Sequence, residues 1–174
     1  MQRKANKMLE PRIYVGTYGK YNNGSISGKW ISLLDYSDYD EFLTACRELH
    51  SDEADPELMY QDFENFPAKY YSESGLDPEF WVWNNLDEHE QELVKVYLDH
   101  VDDSAQIDYI LDSYGGGYES PEDWAMQFLE DTCADIPEFL QNYIDYEAYA
   151  RDASYDGISF VETGYKNCHV FYPH

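Results

Sequence analysis

The sequence predicts an α+β fold, and three observations carry the prediction. Alternating β-branched and aromatic residues mark strands near both ends of the chain, and apolar residues recur at helical spacing through its centre. The third observation is the ring content: 18 Tyr, 8 Phe and 4 Trp in 174 residues. It decides between a folded and a disordered chain. A formal net charge of -25 is the usual mark of disorder, but acidic disordered chains are poor in large apolar rings. Each ring buries roughly 150–250 Å², so this composition supplies a core at modest length.

The elements follow in order. Residues 1–11 are polar and basic and read as an arm ending in Pro11. From Arg12, Ile13, Val15 and Thr17 alternate with Tyr14 and Tyr18, which predicts a strand to about Tyr18. Asn22-Asn23-Gly24-Ser25 is a turn, because Asn and Gly tolerate positive φ. Ile26 to Leu34 predicts a second strand, with Gly28 as a bulge. Ser37, with Asp40 three residues on, predicts a capped helix over 38–50 whose apolar face is Phe42, Ala45, Cys46 and Leu49. Pro56 then opens a short helix containing Leu58, Met59 and Phe63, ended by Phe66-Pro67.

The middle reads as helical throughout. Pro78 opens an aromatic segment with Phe80, Trp81 and Trp83, and Asp87 begins a longer helix with Leu93, Val94, Tyr97, Leu98 and Val101 as its buried stripe. A third helix, from Ala105 to about Tyr114, buries Ile107, Ile110 and Leu111. Gly115-Gly116-Gly117 reads as a hinge or linker. Beyond it Ser120-Pro121-Glu122-Asp123 joins a cap, a first-turn proline and first-turn acids, starting a helix with Trp124, Ala125, Phe128 and Leu129 inside. Asp135-Ile136-Pro137 restarts a helix carrying Phe139, Leu140, Tyr143 and Ile144, continued after a joint by Tyr146, Tyr149 and Ala150. Ile158 to Val161 and His169 to Tyr172 are strands around the turn Gly164-Tyr165-Lys166-Asn167. Composition sets boundaries near residues 65 and 113, giving segments 12–65, 66–113 and 114–174.

The charge is uneven. Residues 35–156 hold 34 acids against only Arg47, Lys69, Lys95 and Arg151, whereas residues 1–34 hold six bases against Glu10. Such a body repels itself, repels nucleic acid and anionic membranes, and attracts basic surfaces. Cys46, Cys133 and Cys168 are widely spaced and form no CxxC, and no apolar run reaches the roughly 18 residues of a membrane span; both point to a reduced, cytoplasmic setting.

Catalytic signatures are sparse. Asp99 with Asp102, or Asp108 with Asp112, have helical spacing suited to a divalent cation, but the ordered ligand loops of such sites are missing. His50, His89, His100, His169 and His174 form no HExxH and no Cys/His pair, there is no GxSxG, and the triple glycine lacks the Lys and Ser/Thr of a phosphate loop. Tyr14, Tyr18, Tyr21, Trp30 and Tyr36 resemble a base-stacking platform, but such platforms sit in positive grooves, so core and rim roles fit them better. The residues alone thus call for no catalytic group, no metal and no cofactor. They leave a DNA-like anion, an acidic adaptor for another basic protein and a metal-dependent hydrolase as readings.

Several segments resemble the ArdA family of antirestriction proteins. They are Arg12-Ile-Tyr-Val-Gly-Thr-Tyr-Gly-Lys-Tyr-Asn-Asn-Gly-Ser25 with the strand through Trp30, and Leu33-Leu-Asp-Tyr-Ser-Asp38 running into Glu41-Phe-Leu43. Tyr60-Gln-Asp-Phe-Glu64 and Asp145-Tyr-Glu-Ala-Tyr-Ala-Arg-Asp152 are similar too. Leu33 to His50 overlaps the segment described in that family as an antirestriction motif. The resemblance implies an elongated, curved homodimer of three small domains: a mixed sheet-and-helix N-terminal unit, an all-helical middle and an α+β C-terminal unit with the dimer contact. It further implies a DNA mimic that occupies the DNA groove of type I restriction-modification enzymes and protects mobile DNA. The acids expected to stand in for phosphates are Asp40, Glu41, Glu48, Asp52, Glu53, Asp62, Glu64, Glu88, Glu92, Asp99, Asp102, Asp103, Asp108, Asp112 and Glu122. Those expected at the dimer contact are Tyr143, Tyr149, Phe160 and Val161. Two subunits of -25 would match the phosphates of about 25 base pairs, roughly 85 Å of duplex.

Overall fold

A computed structural model describes residues 9–132 and 136–173. Most of the basic arm, together with Cys133, Asp135 and His174, lies outside the described residues. The chain has a mixed sheet-and-helix N-terminal region, helices through the middle and an α+β C-terminal region. It divides into two compact units, one running to Lys95 and the other starting at Val96.

In the first unit β1 (Arg12–Thr17) is the centre of a three-stranded antiparallel sheet, flanked by β2 (Lys29–Ser32) and β3 (Leu58–Glu64). β3 replaces the short helix expected after Pro56. Ile13 and Val15 are fully buried on β1, and that strand offers two hydrogen-bonding edges, of which β2 fills one. Pairing of Leu58–Glu64 along the other outweighs the weak helical spacing of Leu58, Met59 and Phe63. The expected turn is preceded by a single helical turn, α1 (Tyr18–Asn22), capped by Thr17 Oγ1 accepting from the Lys20 amide at 3.1 Å. Gly28 is not a bulge. A Cβ there would lie 2.5 Å from the Val15 carbonyl oxygen, so glycine permits close strand approach; the register shift falls on β1 between Tyr14 and Val15.

The next helix, α2 (Tyr39–Leu49), starts one residue later than Ser37 capping predicts. Asp38 Oδ1 accepts from the Glu41 amide at 2.9 Å, while Glu41 Oε2 accepts from the Ser37 amide and hydroxyl, both at 2.8 Å. Phe42 and Cys46 point into the core. The middle is not helical from its start: β4 (Tyr71–Ser72) and β5 (Gly75–Leu76) form a small hairpin before α3 (Glu79–Asn84). An aromatic chain then unites the unit, from Tyr60 to Phe42 at 5.9 Å, to Trp81 at 5.9 Å, to Phe80 at 5.1 Å and to Phe66 at 5.1 Å. The indole donors are satisfied on backbone oxygens, Trp81 on Tyr36 and Trp83 on Gln91, both at 3.2 Å. Helix α4 (Glu88–His100) starts after Asp87, where the sequence predicts, and the structure adds a reciprocal box there: Asp87 Oδ1 accepts from the Glu90 amide at 2.9 Å and Glu90 Oε2 accepts from the Asp87 amide at 3.1 Å.

The second unit holds α5 (Ile107–Ser113) and a sheet in which β8 (Asn167–Phe171) lies between β6 (Tyr114–Tyr118) and β7 (Ser159–Gly164). The expected glycine linker is therefore a strand. A Cβ on Gly115 would lie 2.1 Å from the Tyr172 ring, and Gly116 has φ +120 at a register shift. Glycines are needed there because an aromatic side chain crosses the strand. Helix α6 (Pro121–Thr132) packs Trp124 and Ala125 against Ala150 of α8 (Tyr146–Tyr155) and against Cys168 and Val170 of β8. Trp124 Nε1 donates to Tyr172 Oη at 2.9 Å. Between these helices, the one expected around Phe139 to Ile144 is reduced to α7 (Glu138–Gln141). Pro137 precedes it and Asp145 caps α8 by accepting from the Ala148 amide at 2.9 Å, so two start signals within ten residues leave room for one turn.

Candidate functional site

No described carboxylate is buried. Only Glu53, Glu64, Glu79, Glu90 and Asp123 are even half-buried, and each is committed inside its unit. Glu53 accepts from Thr17 Oγ1 at 2.6 Å, Glu64 pairs with Arg12, and Glu79 pairs with Lys69 Nζ at 2.7 Å. Glu90 caps α4, and Asp123 accepts from the Glu119 amide and Gln127 Nε2, both at 3.0 Å. The half-buried acids thus all hold the fold, and among the exposed ones Asp38, Asp87 and Asp145 do so as helix caps.

The expected surface acids sort accordingly. Asp40, Glu41 and Glu48 are exposed on α2, Glu88 and Glu92 on the first turns of α4, and Asp62 on β3. In the second unit Asp99, Asp102, Asp103, Asp108 and Asp112 follow one another from the end of α4 through α5, and Glu122 stands on the first turn of α6; all are exposed. Asp52 is also exposed but is held by Lys20 Nζ at 2.9 Å. Glu53 and Glu64 are the two whose carboxylates are half-withdrawn. Exposed acids outside that set include Asp35, Asp38, Asp55, Glu57, Asp87, Glu119, Asp145, Glu147, Asp152 and Glu162. Most lie in turns and caps, where a sequence reading centred on helix faces gives them no weight.

Local electrostatics point the same way. Glu41 titrates below the usual carboxylate range because the Ser37 amide and hydroxyl bond its charged form. Asp52 is lowered chiefly by the Lys20 hydrogen bond, and Glu122 by the Ser120 hydroxyl. These groups therefore stay anionic at neutral pH. Bases in the same surface are largely compensated: Arg12, Lys20, Lys69, Arg151 and Lys166 each face a carboxylate in an ion pair.

Charge density sets what one element can do. Helix α4 is about 20 Å long, a length over which a duplex displays about 12 charges. It carries Glu88, Glu90, Glu92 and Asp99 with Lys95 among them. No single helix approaches the density of DNA, so the display depends on many elements together.

Among the residues expected at a self-contact, Tyr143 is 83% exposed and Tyr149 37%. Tyr149 stacks on Trp124 at 6.1 Å. Phe160 is half-buried edge-on to Trp124 at 5.0 Å, and Val161 is buried. Phe139 at 70% and Leu140 at 42% exposure join Tyr143 in one short stretch of apolar surface.

Among the described residues no group of three or more His, Cys, Asp or Glu is arranged to hold a metal ion, and no helix is long and apolar enough to cross a membrane. Cys46 and Cys168 are buried, and burial pushes their thiols up, to about 12 and about 11, which makes them poor nucleophiles. A family model described as antirestriction protein (ArdA) matches residues 13–167. No curated protein matches the chain.

Proposed function

The chain belongs to the ArdA antirestriction family, non-catalytic DNA mimics that act on type I restriction-modification enzymes, and from that premise we propose how its surface does so. The acids of α2, β3, α4, α5 and the turns between them enter the DNA-binding groove of the enzyme as surrogate phosphates. The observation that carries this reading is the sorting of charge: no described carboxylate is buried, while five of the bases are tied into ion pairs. A groove built for a duplex offers a dense positive lining, so an anion of this kind gains steering and many weak contacts and presents no backbone to cut. It offers no base edges either, so groove shape rather than recognition sequence selects the target.

The finer reading has three parts. The inhibitor acts as a homodimer in the cytoplasm, joined through C-terminal residues that include Tyr143, Tyr149, Phe160 and Val161. Residues 12–65, 66–113 and 114–174 serve as successive display segments. Binding is stoichiometric and reaches both the modification core and the nuclease complex, without direct contact to nucleic acid. The test is methyl transfer by a type I modification enzyme titrated with the purified protein. Inhibition saturating near a fixed stoichiometry and relieved by excess duplex is expected; full methylation at saturating protein contradicts the reading.

A further inference from the structure

Lys20 is a cation in a surface whose function is anionic, and its surroundings explain why it is there. It lies on α1, its side chain only 21% exposed, and its Nζ makes three contacts with the segment that follows α2: His50 Nδ1 at 2.9 Å, Asp52 Oδ1 at 2.9 Å and Glu53 Oε1 at 3.6 Å. An ammonium only donates, so Nδ1 of His50 accepts and Nε2–H donates to the Val15 carbonyl at 3.3 Å. His50 is thus the neutral tautomer, 2% exposed, and serves as the C-cap of α2. Glu53 is gripped a second time by Thr17 Oγ1, and a Cβ on Gly19 would meet its Oε2 at 2.8 Å. Further along, the Tyr18 amide donates to the Glu57 carbonyl at 3.0 Å. Residues 50–57, which carry Asp52, Glu53, Asp55 and Glu57, have no regular secondary structure, and they are fastened to the end of β1, through Val15 and Thr17, and to α1, through Tyr18 and Lys20.

We propose that Lys20 is a positioning residue for inhibition: it fixes the 50–57 segment against α1 so that Asp52, Asp55 and Glu57 are displayed at set places to the target groove. The inference rests on the mimic reading above and runs against charge counting. By net charge alone, removing a cation from a DNA mimic makes it more DNA-like and a better inhibitor. With the ammonium gone, Asp52 and Glu53 repel one another beside the buried His50, and the segment loses its hold.

The test compares Lys20→Met with Lys29→Met, which removes one positive charge from an exposed position on β2. Both are titrated against a type I modification enzyme, and hydrogen exchange is followed across 50–57. Lys20→Met is expected to weaken inhibition roughly threefold to tenfold, the loss of a few screened contacts, with faster exchange confined to 50–57. Lys29→Met inhibits at least as well as wild type, and Lys20→Arg recovers most of the loss. Lys20→Met that inhibits as well as wild type, or unchanged exchange in 50–57, overturns the proposal. Loss of inhibition with exchange raised across the whole first unit overturns it too, as general unfolding. A wild-type protein inert in the same titration overturns the mimic reading, whereas wild-type inhibition with a fully active Lys20→Met overturns this inference alone.

Discussion

The two compact units manage the same acidity differently. The first closes on itself: Phe42, Tyr60, Tyr70, Phe80, Trp81 and Trp83 are all buried, and Arg12, Lys20 and Lys69 reach back to partly withdrawn acids. The second keeps its ion pairs, Arg151 with Asp152 and Lys166 with Glu119, on open surface and leaves Phe139, Tyr143, Tyr155 and Tyr165 exposed by 70% or more. A unit that only displays charge has no need of exposed rings. On the proposed reading the rings left exposed in the second unit serve the self-contact and both units display charge; the first unit exposes Leu9 and Ile26, by 72% and 77%, but none of its described rings to that degree.

The largest effects should come from breaking either core. Phe42→Ala and Trp124→Ala are each expected to cost about 3–5 kcal/mol in urea unfolding, the range for emptying an aromatic site. Gly115→Ala should cost about 1–3 kcal/mol, because the Tyr172 ring must move and Trp124 loses its acceptor. A silent Gly115→Ala would mean that β6 does not lie under Tyr172.

The association half of the contrast is sharpened by Phe139→Ser with Tyr143→Ser. Sedimentation should show dimer shifting to monomer at concentrations where wild type stays dimeric, with the unfolding midpoint of the monomer unchanged. A dimer indifferent to both changes would move the contact away from α7.

Display acids and fold-holding acids should then separate in a paired set. Glu88→Gln, Glu92→Gln, Asp99→Asn and Asp108→Asn are each expected to weaken inhibition by less than about threefold, and roughly tenfold or more together, with no loss of stability. Glu53→Gln and Glu64→Gln should do the reverse and lower the thermal midpoint. Salt should drive the two properties apart: from about 0.05 to 0.5 M it screens internal repulsion and raises the midpoint, while it weakens inhibition.

The smallest effect concerns pH. Asp52 has a lowered folded pKa, so its contribution is fully present above its unfolded value near 4 and is lost as pH falls through the folded one. The midpoint difference between wild type and Asp52→Asn should therefore be constant from pH 7 to about 5 and shrink as the pH is taken below about 4.

Local signals were legible where a short stretch of chain decides the outcome. The Asp87 helix start, the Ser120-Pro121 start and the Arg12 strand are each written in a few adjacent residues. Long-range pairing was not. Leu58–Glu64 has mixed spacing and becomes a strand because β1, forty-odd residues earlier, has an edge to fill. Gly115–Gly117 looks like a linker until Tyr172, more than fifty residues later, lies across it. The acids follow the same rule. Their exposure could be expected from charge alone, but the withdrawal of Glu53 and Glu64 depends on Lys20 and Arg12, bases distant in sequence that the fold brings beside them.

Displacement of DNA tests the central claim most directly. A labelled duplex bound to a type I modification enzyme is titrated with the protein and followed by fluorescence anisotropy. The account predicts release of the duplex in step with added protein, and a return of anisotropy when excess unlabelled enzyme binds the inhibitor. A duplex that stays bound at saturating protein, with or without loss of enzyme activity, would contradict occupation of the DNA groove.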